Sequence, residues 1–331
     1  MIGAAWIATG MSLVGVVFVD IVWTSLGVSH GSGPLTSVVL GAGWRLATPL
    51  RRRSSHRWLA ISGVATVLSP LAVWVVLLWT GWSVIFLGTD GGIVDSAGTV
   101  AGAWDKVYFA GYSLFTLGNG DFQPVGAVWQ IASVATALSG LTVVSLAIAY
   151  LVLVVSAAAD RRAVAVRLSL LADSPGQLAS WWWASERRQV LDEQLLALVE
   201  PIVYLTQRHL AYPVLHFFHS SERRASPPVA VMMLDDALTL LICGLTPSER
   251  PAGPGVNALR QAIGDYLRLV GGHGDDHAGS PPLSLTQLEA AGAPVIATDS
   301  FNEAIRAVEE RRYALHSLIA GEGFGTGPGN R

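Results

Sequence analysis

Long apolar runs separated by short polar breaks fill the first half of the chain, and the pattern changes near Ala157. Three runs are long enough to cross a bilayer, whose ~30 Å hydrocarbon core takes about 20 residues of helix. They are Ile2–Leu26, Trp58–Leu87 and Val125–Ala157. The first has no basic flank and is longer than the apolar segment of a cleaved leader, so it reads as a retained span. Pro34–Leu50 is shorter and carries Arg45. It reads as an interfacial helix; crossing the membrane instead would move the N-terminus to the other side. Ala103–Phe115, AWDKVYFAGYSLF, is apolar and aromatic but only thirteen residues long. That length suits a re-entrant half-helix, with Asp105 in its first turn at the positive end of the helix dipole.

After Ala157 the spacing becomes that of amphipathic helices. The third span is expected to run on past Arg162 into VRLSLLA, and a further helix begins near Glu186, interrupted or restarted at Pro201 and Pro213. Val229–Leu245 is apolar enough for a fourth span, yet Asp235 and Asp236 in its middle argue for a buried amphipathic helix. The last helix, SFNEAIRAVEERRYALHSLI, is expected to start with Ser300 as N-cap and Glu303 completing a capping box. Gly271–Pro282 reads as a loop and the tail after Gly321 as disordered.

Composition sharpens this division. The 331 residues are 51% hydrophobic and 14% charged, which places the chain among membrane proteins. Twelve Trp residues fit the membrane–water interface. Six Lys or Arg and five Asp or Glu precede Ala158, against fifteen and nineteen after it. A net charge of −3 gives no footing for nucleic acid, and the lone Cys243, a small buried hydrophobe in LLICGL, excludes an intrachain disulfide. The basic cluster Arg51–Arg57 and the pair Arg161, Arg162 orient their loops to the cytoplasm, so the loop Gly88–Pro124 and the N-terminus face outward. Pro70 marks a kink in the second span. Asp20, in the first span, is read as lying near the cytoplasmic end, capped by Trp23 or Thr24 or reaching headgroup water; the alternative pairs it with an Arg of Arg51–Arg53.

The decisive stretch follows the half-helix: Thr116-Leu117-Gly118-Asn119-Gly120-Asp121. Irregular backbone at membrane depth survives only where it is buried in protein or lines a water-filled path. Alternate glycines open backbone angles closed to other residues, letting successive carbonyls turn to one side. Such carbonyls, gathered from several copies, replace the hydration shell of a monovalent cation.

Span, half-helix, T-x-G-x-G-D and span over roughly Trp58–Ala157 resemble the two-helix pore unit of the potassium channel family, here with an extra N-terminal helix. The resemblance implies an all-α membrane protein, a tetrameric pore with a re-entrant pore helix, and an α-helical cytoplasmic domain. Its parts would be residues 1–57 (N-terminal span and interfacial segment), 58–160 (pore domain), 161–320 (helical cytoplasmic domain) and 321–331 (tail). Within the pore domain the outer helix would be 58–87, the pore helix 103–115, the filter 116–120 and the inner helix 125–157. The resemblance also implies potassium coordination by Thr116, Leu117, Gly118 and Asn119, with Gly120 completing the filter. Asp121, Tyr112, Tyr108 and Phe109 would support it, and Gly140 fits either an inner-helix hinge or a close helix contact. Family filters usually carry Tyr or Phe where this chain has Asn119, so an aromatic brace is replaced by an amide able to hydrogen-bond. Tyr112 stands where the family often has a Glu serving the acid after the filter, and its phenol is expected to donate to Asp121. Thr136, Ser139, Thr142 and Ser145 face the cavity or bond their own backbone.

The expected function is passive potassium conduction by a homotetramer in the plasma (inner) membrane. The alternatives are a weakly selective monovalent cation channel or a non-conducting membrane scaffold. No cofactor is implied beyond the transported K+. The partners would be the lipid bilayer, three further copies and an unidentified gating ligand. No alternating strands and no G-x-G-x-x-G after a strand point to a nucleotide-type regulatory domain. His273 and His277 read as loop residues rather than metal ligands, His216 and His219 as helix packing, and no catalytic constellation is visible.

Overall fold

The computed structural model describes residues 2–26, 32–51, 56–184, 188–212, 214–215, 220, 222–270 and 280–321. The side chains of the Arg51–Arg53 cluster and of Arg45, the histidines at 216, 219, 273 and 277, Pro213 and the tail beyond 321 lie outside that description. The chain forms two compact units, Met1–Arg53 with Ile61–Val155, and Ser54–Ala60 with Ser156–Arg331.

The first unit holds α1 (Ile2–Leu26), α2 (Pro34–Arg51), α3 (His56–Leu87), the half-helix α4 (Ala103–Leu114) and the start of α5 (Ala127–Ser169). Span-like composition covers Ile2–Ser25, Leu68–Leu87 and part of α5. The 43 residues of α5 make a rod of ~64 Å, about twice a bilayer core. The helix runs past Arg162, as its sequence suggests. Pro70 lies inside α3, which continues on both sides of it.

Three tryptophans make α3 the hub of this unit. The Trp74 indole donates to Asp20 on α1 at 2.8 Å, Trp79 to the Val107 carbonyl on α4 at 3.1 Å, and Trp82 to Ser139 Oγ on α5 at 2.9 Å. An indole N–H inside an apolar layer must find an acceptor, so each bond fixes which face of α3 meets which helix. Where α1 crosses α3 the backbones nearly touch: a Cβ on Gly10 would stand 2.5 Å from the Gly81 carbonyl oxygen.

Asp20 corrects the sequence reading. Its carboxylate is fully buried and is bonded neither by Trp23 nor by Thr24. It accepts from Leu35 N at 2.7 Å, Thr36 N at 3.2 Å, Thr36 Oγ1 at 2.6 Å and Trp74. It caps the free N–H groups that open α2, where a negative charge also suits the helix dipole. Thr24 acts beside it, accepting from Gly33 N at 2.9 Å.

The segment between α3 and α5 is closed by a short antiparallel pair, β1 (Ile93–Asp95) with β2 (Phe122–Pro124), whose register sets Ile93 against Pro124 and Asp95 against Phe122. The half-helix and its exit are therefore pinned at both ends. Asp105 accepts from Gly102 N at 2.9 Å in the first turn of α4. Lys106 is buried and donates to the Thr89 carbonyl at 2.6 Å.

The second unit is helical throughout its described residues. It contains the end of α5 and α6 (Pro175–Ala184), α7 (Arg188–Ala211), α8 (Pro227–Gly244), α9 (Pro254–Val270), α10 (Thr286–Ala290), α11 (Thr298–Arg306) and α12 (Glu309–Gly321). Three expectations change here. Pro201 does not interrupt α7; it lies within the helix, buried. α8 is buried on nearly every side rather than amphipathic, and arginines from neighbouring helices pair with its acids. Asp235 takes Arg260 at 2.7 Å and Arg311 at 2.9 Å, and Asp236 takes Arg312 at 2.8 Å. The last helix is two helices: α11 starts after Ala297, Ser300 lies inside it, and the chain turns at Ala307 and Val308 through i→i−3 bonds. The turn lets Phe301 and Leu315 both enter the core.

Cys243 is buried, as its apolar context indicates. Burial pushes the Asp236 carboxyl up, while Arg312 pulls it down. His316 is also buried, and neither ring nitrogen has a hydrogen-bond partner among the described residues. Desolvation, with Arg312 and Arg223 adding repulsion, holds its pKa down at about 4.

Candidate ion pore

α4 ends tightly: Phe115 N bonds the Gly111 carbonyl, Thr116 N that of Ser113, and Leu117 N that of Tyr112. The backbone then alternates in hand. Thr116 has φ +55°, Gly118 +62° and Gly120 +79°, whereas Leu117 and Asn119 stay at negative φ. Left- and right-handed residues in strict alternation allow successive carbonyls to turn toward one side of the strand, which an ordinary β-strand, with carbonyls alternating, does not. Glycine makes this inexpensive at two positions. Thr116 is β-branched and adopts it at a cost of order 1–3 kcal/mol, which the surrounding structure must offset. Sequence reasoning singled out the two glycines and missed the third left-handed position, because nothing in a threonine advertises it. Residues 115 to 121 are all exposed in the single chain.

The strand is backed by aromatic side chains of α4. Asn119 Nδ2 donates to the Tyr108 hydroxyl at 2.5 Å, and that hydroxyl lies 3.5 Å from Asp121 Oδ2. Tyr112, expected to serve Asp121, donates instead to the Phe122 carbonyl at 2.5 Å. The two tyrosines are one helical turn apart, and only the earlier one is placed to reach the acid. Tyr108 and Tyr112 pack edge to face at 5.2 Å, Phe109 and Tyr112 at 5.3 Å, and Phe86 of α3 meets Phe109 at 4.9 Å. Behind the strand lies a cavity of about 300 Å³ lined by Phe109, Tyr112, Ser113, Ser133 and Ala137 among others.

Residues 72–157, which contain the half-helix, this strand and most of the two flanking helices, match the family model described as "Ion channel". This segment is an ion channel domain. The family is one of channels and not of enzymes, and the domain is preceded here by the additional apolar helix α1. Over 318 residues the chain is 28% identical to the "Uncharacterized membrane protein YdjJ" of Bacillus subtilis (strain 168), covering 95% of this chain and 93% of that one. The similarity therefore extends through the second unit. No solved structure matches. The chain is an integral membrane protein with a channel domain.

Within the channel domain α5 passes Gly140 without a break, and a Cβ there would fall 1.9 Å from the Leu114 carbonyl oxygen. Gly140 is where the long helix touches the end of α4, backbone to backbone. Thr136 and Ser139 do not face a cavity: both are buried, Thr136 bonded to the Ala132 carbonyl and Ser139 to Trp82 and the Thr136 carbonyl. Thr142 bonds the Leu138 carbonyl, and Ser145 is exposed. The exposed side of the first half of α5 is largely apolar, with Val128, Ile131, Val134, Leu138 and Leu141 recurring every three or four residues. Such a stripe on a single chain suits lipid or a second apolar surface. Trp79 and Trp82, which fasten α4 and α5, were not legible as site residues: a Trp in a membrane sequence signals the interface before it signals a bond inside the bundle. Among the described residues no group of three or more His, Cys, Asp or Glu is placed to hold a metal.

Proposed function

We propose that the chain is one subunit of a homotetrameric, potassium-selective channel. The observation that carries this reading is the alternating backbone hand at Thr116, Gly118 and Gly120 in an exposed strand directly after a half-helix. One copy supplies one strand; a ring of carbonyls around an ion requires four about an axis. Thr116, Leu117, Gly118 and Asn119 coordinate partly dehydrated K+, and Gly120 completes the filter. The negative end of α4 favours the cation. Asn119 keeps its place through the Tyr108 hydroxyl where relatives of the family use an aromatic residue, with Phe109, Tyr112 and Asp121 completing the support. Gly140 either flexes or seats α5. The filter faces outward with the N-terminus, in the plasma membrane, and the second unit is cytoplasmic, where it receives the gating signal. No cofactor enters this scheme.

The test is the reversal potential of the purified protein in a planar bilayer with potassium on one side and sodium on the other. A value near the potassium limit is expected. Clear single-channel steps with a reversal potential near zero would make it a weakly selective cation channel. A monomer or dimer in mild detergent would remove the pore altogether and leave a membrane scaffold.

A further inference from the structure

Beyond Val155 the long helix belongs to the second unit, and that unit fastens it at four heights. Asp160 Oδ2 accepts from the Tyr204 hydroxyl at 2.8 Å and from Arg208 Nη2 at 3.0 Å. Arg208 closes the triangle by donating to the Tyr204 hydroxyl from Nη2 at 2.8 Å and from Nε at 3.0 Å, with its guanidinium 5.0 Å from the Tyr204 ring centre. One residue on, Arg161 Nη1 donates to the Leu215 carbonyl at 2.6 Å. Arg162 pairs with Glu222 at 3.2 Å, both largely exposed, and Ser169 Oγ donates to the Arg224 carbonyl at 2.9 Å. Between these bonds Ala165 and Leu168 are fully buried in the core of the second unit.

The fastenings differ in kind. Moving Ala165 and Leu168 out of a packed core is costly, so the lower end of α5 travels with the second unit. The bond between Arg162 and Glu222 is an exposed ion pair and contributes little. The Asp160–Tyr204–Arg208 triangle is intermediate. It is half-exposed, multiply bonded, and is the first of these side-chain fastenings along α5 after Val155. It joins α5 to the last two turns of α7.

We infer that Asp160, Tyr204 and Arg208 form the coupling through which the second unit sets the position of the pore-lining helix, with Arg208 as its positioning residue. The inference rests on the channel reading and extends it. A displacement of α7 reaches α5 through the triangle, and release of the triangle lets the pore end of α5 settle independently. The three residues bond one another and belong to the second unit, so the effect falls on how often the pore opens and not on what it passes.

The experiment compares full-length wild type, Asp160→Asn, Arg208→Gln, the double variant and the charge swap Asp160→Arg with Arg208→Asp in single-channel recordings. Both single variants are expected to shift the open probability by at least about fivefold, the lower end for coupled sites. The double variant should shift it no further than either alone, the charge swap should recover part of the change, and unitary conductance and reversal potential should be unaltered. Hydrogen exchange on residues 156–169 gives a readout independent of current, and protection should fall in Arg208→Gln. Wild-type open probability with wild-type protection in the single variants would overturn the coupling and leave the channel reading intact. Additive effects in the double variant, or a changed reversal potential, would also overturn it. A wild type that passes no current while Arg208→Gln loses protection would count against the channel reading and not against the mechanical link.

Discussion

The two units solve the same problem, polar groups in an apolar interior, in opposite ways. In the first, single polar side chains are each given to one neighbour: Trp74 to Asp20, Trp79 to a carbonyl, Trp82 to Ser139. The helices otherwise meet through apolar side chains and, at Gly10 and Gly140, through close backbone contact, while residues 116–120 are left exposed. In the second, two adjacent acids on α8 and three arginines from α9 and α12 are concentrated inside the core. The first unit meets its buried acid with neutral donors, an indole, a hydroxyl and backbone N–H groups, and its buried Lys106 with a backbone carbonyl. The second gathers its charges together, each acid facing at least one arginine, which offsets the cost of burying them. The first arrangement keeps carbonyls available for an ion; the second consumes its polar groups internally.

The largest expected effect comes from breaking the charge cluster. Arg312→Leu strands Asp236 and should cost the second unit ~3–5 kcal/mol, the usual penalty for an uncompensated buried charge. Limited proteolysis should then cut within α8 to α12 while α1 and α3 remain protected. Equal resistance in both proteins would mean that the acid is neutralised some other way. Next comes the backbone contact of the first unit. Alanine for glycine inside a helix ordinarily stabilises it by ~1 kcal/mol, but Gly140→Ala should instead cost ~1–3 kcal/mol, because the new Cβ meets the Leu114 carbonyl. A raised thermal midpoint would show that α4 yields and that the contact is not needed.

The third prediction is set by pH. The folded pKa of His316, about 4, lies below its ordinary value, so between the two the unfolded chain takes up a proton that the folded one refuses. The contribution of His316 is therefore fully present above pH ~6.5 and is lost as pH falls toward 4, by roughly 3 kcal/mol. The raised carboxyl of Asp236 acts with the opposite sign and blunts the fall. His316→Leu should flatten the dependence of the thermal midpoint between pH 7 and 4.5; an unchanged slope would assign the acid sensitivity to other groups. The smallest change is Tyr108→Phe, which removes one hydroxyl worth ~1 kcal/mol. It should move the reversal potential toward zero while leaving clear unitary currents, and an unmoved potential would show that Asn119 holds itself.

Much of the architecture was legible in the sequence, because spans and half-helices are signalled by local runs. Ile2–Leu26 is α1 to the residue, and Ala103–Phe115 differs from α4 by one. Two left-handed positions were marked by glycine. What could not be read was the choice among equivalent partners. Tyr108 and Tyr112 are chemically identical, and only the path of the strand gives Asp121 to the first. Pro201 sits within α7 because tertiary packing outweighs its local preference, and Ser300 is passed over because the chain turns later to bury Phe301. Asp20 was the plainest failure: its partners lie 15, 16 and 54 residues away, beyond any local pattern.

That distance also orders events during synthesis. α1 emerges first, with a carboxylate whose acceptors have no donors yet, at a cost of ~2.5–3.5 kcal/mol while the helix stands alone in lipid. Leu35 and Thr36 arrive a few seconds later, at ~5–20 residues per second, and Trp74 a few seconds after that. Until then α1 is an unsettled guest of the membrane, free to tilt, retreat or recruit water to its acid. Leu35 and Thr36 supply the first bonds to the acid and Trp74 the last, so its set of donors is complete only once α3 has joined the bundle.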